Sequence, residues 1–464
     1  MKTSPTMMVP LAIVAACGPT TAPDVELVQP FRSGERLTAL VHDAGEGDRQ
    51  FARWHDRQLG LDCEVMPSAD GTLRCVPGVP DVAAAFSDAD CSEPAYRPTA
   101  CGEIPPAVRR PLSSCSNEAA HASFRVGESV GERQVFYQVD GRCVSAPESP
   151  ELYALDLIEP SSMAGFDARH EARGADLELV IYRGEDGSHV WAGTRDVQDD
   201  HRCDLWGWWT DEPTCVPIER AIVSPGYYTG SDCASGSVAV RPLECEAPRV
   251  IVQRDDAELL DVGATLEPTA VFYENALTGE CELLPSASEA LFEAGPPIHP
   301  ATFPSLEVEN RGTGRLRPVQ VRHPEGLAVA PTSLWWDEGL GLHCKIRETR
   351  HGLRCLPTDP LGDLSFAPTL RWADSNCRDS MLAAAHALVP GFSGRVQVAD
   401  PHDACAGVQY VVRLGNRHEG PVYHVQGGEC VEVESDFPAP GGWYSVDLRV
   451  SVEQLPPVDL VEDE

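Results

Sequence analysis

The sequence predicts an all-β protein of three tandem, disulfide-stapled repeat units of about 140 residues each. One frame occurs three times: an aspartate, a cysteine after six intervening residues, and a second cysteine followed two positions later by proline. It spans residues 56–77, 196–217 and 337–357. Short runs of β-branched and aromatic residues alternate with Gly- and Pro-containing turns along the chain, as in all-β folds. The units could close into a β-propeller-like ring or follow one another as three small β domains.

The first 16 residues have the features of a signal peptide, with one positive charge at Lys2 and an apolar run too short to span a bilayer. The run ends at Val14-Ala15-Ala16-Cys17, which resembles the lipobox of bacterial lipoproteins. This resemblance implies a lipidated Cys17 at the start of the mature chain. It also implies an outer-membrane location, because Gly18 stands where an aspartate would retain the protein at the inner membrane. Residues 17–35 then form a tether.

Unit 1 is expected over residues 36–160. It opens with strand-like runs at 37–41 and 51–54 and continues into a hairpin that carries Cys63 and Cys75. Asp140-Gly141 between two further strand-like runs predicts a second hairpin.

Units 2 and 3 are expected over 175–308 and 309–455, with 161–174 as a linker between the first two units. Two segments have helical features, 286–294 and 379–388, the first with a capping-box spacing. The C-terminal residues 456–464 form an acidic tail that we expect to be frayed.

Seventeen cysteines and the absence of any C-x-x-C motif predict structural disulfides in an oxidising compartment. Pairing of sequence neighbours gives Cys63–Cys75, Cys91–Cys101 and Cys115–Cys143 in unit 1. The same scheme in units 2 and 3 gives Cys203–Cys215, Cys233–Cys245, Cys344–Cys355 and Cys405–Cys430. Cys281 and Cys377 are then left over, either paired with each other across two units or present as free thiols.

Three motifs carry a further resemblance: Trp54-x-Asp56, Asp70-Gly71-x-x-Arg74-Cys75-x-Pro77 and Phe86-x-Asp88-Ala89-Asp90-Cys91. They resemble tandem Cys-rich repeat lipoproteins of Gram-negative bacteria that have no assigned activity. The resemblance covers most of the mature chain. It implies a location in the cell envelope and an all-β structure, and it supplies no catalytic residues.

The net charge of −36 argues against nucleic acid or an anionic lipid surface as a partner, because both repel an acidic protein. Lys2 and Lys345 are the only lysines, so Schiff-base chemistry has almost no candidate residue. The expected partners are the membrane, through the lipid anchor alone, and an envelope protein or polysaccharide. No cofactor is expected.

No catalytic motif is visible, since the chain contains neither G-x-S-x-G nor H-E-x-x-H. The adjacent pairs His55-Asp56 and His402-Asp403 are expected to point to opposite faces of a strand. The acidic run from Asp43 to Asp48 is expected to be an exposed turn rather than a calcium site. The stretch from Asp199 to Cys203 resembles a metal-ligand cluster. Its cysteine belongs to a predicted disulfide, however, so no metal site is expected there.

The repeated aspartates Asp56, Asp196 and Asp337 have two interpretations. They are either three equivalent ligand sites or turn residues that accept backbone N–H groups, and the recurrence of one local turn favours the second. Trp206 and Trp208 would face the same side of a strand and form a candidate ligand-binding platform for sugar rings. A local core or an interface explains them equally well.

These observations favour a non-enzymatic, outer-membrane-anchored lipoprotein that presents a β-repeat surface for binding or adhesion. Two alternatives stay open. One is an envelope hydrolase with a site at the centre of the repeat ring, and the other is a structural surface component.

Overall fold

The structure is a computed structural model of the 464-residue chain. The residues that it describes are 30–45, 48–80, 84–98, 104–113, 119–139, 142–207, 212–218, 220–223, 227–228, 230–232, 238–242, 247–253, 258–266, 272–274, 281–283, 289–358, 366–367, 371–378, 381–384, 395–399, 408–426, 429–433 and 443–463.

The first part of each unit is an antiparallel meander, which we call its hub sheet. In unit 1 it contains β2 (Leu37–Asp43), β3 (Arg49–Asp56), β4 (Leu61–Pro67) and β5 (Leu73–Pro77). The short strand β1 (Phe31–Arg32) precedes β2 in the chain and pairs with β13 of unit 2. In unit 2 it contains β11 (Phe166–Ala172), β12 (Leu177–Gly184), β13 (His189–Asp196), β14 (His201–Trp206) and β15 (Thr214–Pro217). In unit 3 it contains β24 (Glu307–Asn310), β25 (Leu316–Arg322), β26 (Ala328–Asp337), β27 (Leu342–Thr349) and β28 (Gly352–Pro357). Residues 161–174, expected as a linker, therefore contribute the edge strand β11.

The second part of each unit is a separate β structure, which we call its arm. The arm of unit 1 contains β6 (Val79–Pro80), β7 (Ala95–Tyr96), β8 (Ala107–Pro111), β9 (His121–Val139) and β10 (Arg142–Leu157). The arm of unit 2 contains β16 (Arg220–Val223), β17 (Tyr227–Tyr228), β18 (Val238–Pro242), β19 (Val250–Gln253), β20 (Glu258–Leu266), β21 (Phe272–Glu274), β22 (Cys281–Leu283) and β23 (Glu289–Pro297). The arm of unit 3 contains β29 (Phe366–Ala367), β30 (Arg371–Trp372), β31 (Met381–Ala384), β32 (Arg395–Ala399), β33 (Val408–His418), β34 (Val422–Gln426), β35 (Glu429–Val433) and β36 (Trp443–Ser451).

The predicted all-β class is confirmed, and both helix predictions are wrong where the structure describes them. Its only helical segments, among the described residues, are short 3₁₀ turns at Pro160–Ser162, Pro300–Thr302 and Val452–Gln454. The first predicted helix overlaps β23, where Phe292 packs on Ile251 and Leu260. The second overlaps β31, which pairs with both β30 and β36. Packing and ladder pairing outweigh local helix propensity in both segments.

The hairpin disulfides are confirmed in all three units: Cys63–Cys75, Cys203–Cys215 and Cys344–Cys355. Each joins the two paired strands that close a hub sheet. In unit 1, for example, the ladder places Cys75 opposite Val65, two positions from Cys63. Opposed strands hold cysteines within disulfide reach, which is why local spacing identified these three bridges.

The arm disulfides differ from the prediction. Cys91 pairs with Cys143 and Cys377 pairs with Cys430, across sequence separations of 52 and 53 residues. The predicted pairs Cys91–Cys101, Cys115–Cys143, Cys405–Cys430 and Cys281–Cys377 are therefore wrong. Loop-closure entropy rises only slowly with loop length, so spatial proximity rather than sequence proximity selects the partner. Cys281 is disulfide-bonded, so it is not the free thiol that one alternative required. Cys17, Cys101, Cys115, Cys233, Cys245 and Cys405 lie outside the described residues, and with them the predicted pair Cys233–Cys245.

The units are consecutive β domains and not the blades of a closed propeller. The expected frayed tail is instead a strand, β37 (Pro457–Glu462). It pairs with β28 of unit 3 on one side and with β2 of unit 1 on the other. The hub sheets of the last and first units thereby become one ten-stranded sheet. Val458, buried at 4% exposure among the apolar residues of the third hub sheet, holds the strand in place.

A cycle of equivalent contacts joins the three hub sheets. In each unit, one turn between adjacent hub strands (β2–β3, β12–β13 or β25–β26) reaches the start of a neighbouring unit. Asp186 of unit 2 accepts the backbone N–H of Leu37 in unit 1 at 2.7 Å. His323 of unit 3 lies 3.0 Å from the carboxylate of Asp176 in unit 2. Asp48 of unit 1 accepts the backbone N–H of Gly314 in unit 3 at 3.3 Å.

Each of these three side chains also packs directly against a glycine. Asp186 faces Gly34, His323 faces Gly174, and Asp48 faces Gly312. A Cβ at any of the three glycines would clash with the side chain that it faces. The glycines are therefore required by the close approach of neighbouring units.

Candidate functional site

The repeated aspartate of unit 1 is completely buried and fully used by the fold. Asp56 accepts the backbone N–H groups of Gln58 at 2.9 Å and Leu59 at 3.1 Å. Its other oxygen lies 2.6 Å from the guanidinium of Arg36, which precedes β2. The carboxylate thus fixes the turn between β3 and β4 and is neutralised by an arginine.

Unit 3 repeats this arrangement. Asp337, also 0% exposed, accepts the backbone N–H of Leu340 at 3.1 Å. Arg315 donates to its two carboxylate oxygens at 2.9 and 3.2 Å. These contacts confirm that the aspartate is a turn residue in units 1 and 3.

Unit 2 keeps the buried aspartate but lacks the arginine. Asp196 is 2% exposed and accepts the backbone N–H groups of Gln198 at 2.8 Å and Asp199 at 3.2 Å. Asp176 stands where the other units have arginine. Its carbonyl accepts the N–H of Val197, as the carbonyl of Arg36 accepts that of Arg57. Within the described part of the chain, no arginine, lysine or histidine forms an ion pair with the Asp196 carboxylate.

Two further residues of this turn differ from the other units. His201 pairs with Asp196 in the strand ladder, where units 1 and 3 place Leu61 and Leu342 opposite their aspartates. The third position after the aspartate carries Asp199 in unit 2, whereas the other two units carry leucine there. The unit 2 turn therefore exchanges two apolar side chains for an imidazole and a carboxylate.

The three polar side chains of the unit 2 turn converge. One ligand-type atom from each of Asp196, Asp199 and His201 lies within 4.8 Å of the other two. His201 is only 4% exposed, and within the described residues neither of its ring nitrogens has a hydrogen-bond partner. One imidazole nitrogen and two carboxylates form a donor set suited to a divalent transition-metal ion.

Part of this cluster is visible in the sequence. The stretch from Asp199 to Cys203 resembles a ligand set, but the predicted disulfide of Cys203 argues against a metal site there. Cys203 does form that disulfide, and Asp196 stands in its place as the third ligand-type residue. A position-by-position comparison of the three turns would have revealed the cluster, because only unit 2 carries all the ligand-type residues.

The other polar candidates have structural partners. His55 Nδ1 lies 2.9 Å from Asp62, whereas the neighbouring Asp56 binds Arg36, so His55 and Asp56 act separately as predicted. In the acidic turn, Asp43 accepts the N–H of Gly45 at 2.8 Å. Asp48 makes the contact with unit 3. Glu46, His402 and Asp403 lie outside the described residues.

The predicted tryptophan platform is wrong for Trp206. This indole is 6% exposed and packs into a core with Val216, Val250 and Leu259. Burial against the arm of unit 2 leaves it no surface for stacking on a sugar. Trp208 lies outside the described residues.

A cleft of about 370 Å³ opens beside the first hairpin of unit 1. Two ion pairs lie along it: Arg53 contacts Asp62 at 2.7 Å, and Arg109 contacts Glu64 at 2.8 Å. Glu348, at the end of β27 in unit 3, completes the wall. The cleft therefore combines residues of the hub and arm of unit 1 with one residue of the last unit.

The disulfides indicate an oxidising, extracytoplasmic environment, because structural disulfides are rare in the reducing cytosol. Among the described residues, no helix is long and apolar enough to cross a membrane.

Comparison with known proteins agrees with the tandem repeats. The model of a family of unknown function, DUF7481, matches the chain twice, over residues 14–178 and 171–385. No curated protein and no solved structure matches the chain. The two matches together span most of the sequence, so the chain belongs to the DUF7481 family.

Proposed function

We propose that this protein is a non-enzymatic, lipid-anchored binding protein of the bacterial cell envelope, held at the outer membrane through Cys17. It binds a polar envelope ligand, a polysaccharide or a protein segment, in the cleft of unit 1. Support for the anchor comes from the lipobox-like sequence and from the extracytoplasmic environment that the disulfides indicate.

The cleft is the observation that carries the binding proposal. Its volume falls within the range of ordinary ligand pockets, roughly 300–1,000 Å³. Arg53 and Asp62 remain 42% and 39% exposed although they are paired, so both present hydrogen-bonding groups to solvent. Val79, 49% exposed, adds an apolar surface beside them.

The pairing of these charges defines the ligand class. Each guanidinium holds its carboxylate in a fixed orientation, so donors and acceptors alternate along the wall. The hydroxyls of a sugar chain or the backbone of an extended peptide offer the complementary pattern. The disulfide between the strands of the same hairpin keeps the wall rigid and thereby limits the entropy lost on binding.

A double variant tests the cleft. In the soluble Cys17→Ser form, Arg53→Ala with Asp62→Ala removes the Arg53–Asp62 ion pair, together with the contact of His55 to Asp62, without changing the net charge. We expect at least a tenfold loss of affinity, about 1.4 kcal/mol, for the envelope polysaccharide or protein fraction that the parent form retains. Stability should change little, because exposed ion pairs contribute roughly 0–1 kcal/mol.

The matched control removes another exposed pair, Asp167 with Arg169 on β11, which lies outside the cleft. This double alanine variant should bind like the parent. Equal binding by both double variants would show that the cleft is not the binding site. The anchor is tested separately: Cys17→Ser must release the protein from membranes. Continued sedimentation with membranes after a high-salt wash would contradict the lipid anchor.

A further inference from the structure

All three hub turns bury a negatively charged aspartate, but only two of them pair it with an arginine. Each buries an aspartate whose carboxylate accepts backbone N–H groups. A buried carboxylate destabilises a protein unless a positive charge accompanies it. Arg36 and Arg315 supply that charge in units 1 and 3, and unit 2 has an aspartate at the same place.

Among the described residues, two arginines contact residues of the unit 2 turn, and neither pairs with the carboxylate of Asp196 or Asp199. Arg195 contacts Asp200 and Glu178. Arg249 donates to the backbone carbonyl of Asp199 at 3.1 Å and not to its carboxylate. The side chain of Asp176 faces His323 at 3.0 Å, so it adds negative charge to this region rather than removing it.

The burial of His201 is a second, independent indication that this turn binds a ligand from outside the chain. A leucine fills its ladder position in units 1 and 3, at 2% and 3% exposure, so the fold itself does not require a polar group there. An imidazole that is 4% exposed, with neither nitrogen hydrogen-bonded within the described residues, has lost its water without gaining a protein partner. A metal ion between the imidazole and the two carboxylates would satisfy it.

We propose that the unit 2 turn binds one divalent transition-metal ion of the Zn²⁺ class through Asp196, Asp199 and His201. The ion supplies the positive charge that an arginine supplies in the other units. The imidazole favours Zn²⁺ and related ions over Mg²⁺ and Ca²⁺, which prefer oxygen ligands alone. This site does not depend on the cleft or on the proposed ligand.

The geometry needs only a small adjustment. Zinc–ligand bonds of about 2.0–2.1 Å place tetrahedral ligand atoms about 3.4 Å apart. The three ligand-type atoms lie within 4.8 Å of one another, so binding draws each pair together by at most about 1.4 Å. Asp199 is exposed and can rotate to close this gap, and a water molecule can occupy the fourth position.

Metal titration of the soluble Cys17→Ser protein tests the site. After chelation and dialysis, calorimetric titration with ZnCl₂ should show one site per chain, and zinc should raise the melting temperature. His201→Leu introduces the residue of units 1 and 3 and should lower the zinc affinity by about 100-fold or more. The control is His170→Leu, an exposed histidine of β11, which should bind zinc like the parent.

Two further variants keep the test decisive. Asp199→Asn changes an exposed side chain, should fold normally, and should also weaken zinc binding strongly. Asp176→Arg restores the arginine of the other units. It should lower the zinc affinity, because the guanidinium would supply the positive charge that the ion otherwise supplies. The proposal is overturned if the parent protein shows no stoichiometric zinc site, or if His201→Leu and Asp199→Asn bind zinc as the parent does.

Discussion

Replacement of Asp56 by alanine should destabilise the whole protein. The substitution leaves the N–H groups of Gln58 and Leu59 without their acceptor and removes the partner of Arg36. Breaking a buried ion pair costs about 3–5 kcal/mol. Arg36 is 22% exposed and also donates to the carbonyl of Ser162, so water and that carbonyl partly compensate it. We therefore expect a loss near the lower limit, about 3 kcal/mol.

Urea unfolding of the soluble Cys17→Ser form measures this loss, and Asp56→Asn refines it. Asparagine keeps the oxygen that accepts the two N–H groups and loses the charge, so its cost should be clearly smaller. Asp167→Ala, at an 80% exposed carboxylate, is the control and should cost roughly 0–1 kcal/mol. A loss below about 1 kcal/mol for Asp56→Ala would refute a structural role for the repeated aspartate.

The arm disulfide, two buried histidines and the buried Trp206 can each be tested by unfolding measurements. Replacing Cys91 and Cys143 by serine opens a loop of 52 residues and should lower the free energy of unfolding by about 4 kcal/mol on the chain-entropy estimate. The same change at Cys63 and Cys75 opens a loop of 12 residues and should lower it by about 3 kcal/mol. Recovery of a Cys91–Cys101 peptide under non-reducing conditions would contradict the arm bridge. Burial lowers the pKa of both His42 and His343 to about 4, below the unfolded value of 6.5. Their contribution to stability is therefore complete above pH 6.5 and is lost as the pH falls from 6.5 towards 4. The urea midpoint of His343→Leu should fall less than that of the parent between pH 7 and 4.5, and an equal fall would count against this linkage. Trp206→Ala should cost about 3–5 kcal/mol as a core truncation, and an unchanged melting temperature would place the indole at the surface.

The hub sheets could be predicted from the sequence because their signals are local. The Asp–Cys–Cys frame lies within about twenty residues, and its cysteines occupy neighbouring paired strands. The arm bridges could not be predicted in the same way. Cys143 meets Cys91 only because the long β9–β10 hairpin returns the chain to the start of the arm. Nothing in the spacing of these cysteines encodes that return.

The helix predictions are wrong because a short apolar segment fits both the 3.6-residue period of a helix and the 2-residue period of a strand. Ala290, Leu291 and Ala294 suit a helical face, but β23 pairs on both sides with β18 and β20. That pairing satisfies the backbone and buries Leu291 and Phe292 together. Tertiary contacts of this kind are invisible in a single segment.

The C-terminal strand has the sequence alternation of a strand, although its acidic composition favours a frayed tail. Val458 and Leu460 alternate with Pro457 and Asp459, which is the period of a strand. Its pairing with units that are far apart in the sequence could not be derived from that alternation. The candidate metal site of unit 2 is recognisable only by comparison of the three repeat units. His201 and Asp199 differ from the leucines at the equivalent positions of units 1 and 3.

Native-state hydrogen exchange of the C-terminal strand tests the central claim most directly, namely that β37 joins the last unit to the first. The ladder pairs Leu40 with Glu462 and Leu353 with Val458. Peptides covering 457–462 should therefore be protected to nearly the same extent as those covering 37–43 and 316–322. Exchange of 457–462 at the rate of an unstructured tail, while 316–322 stays protected, would contradict the joining of the first and last hub sheets.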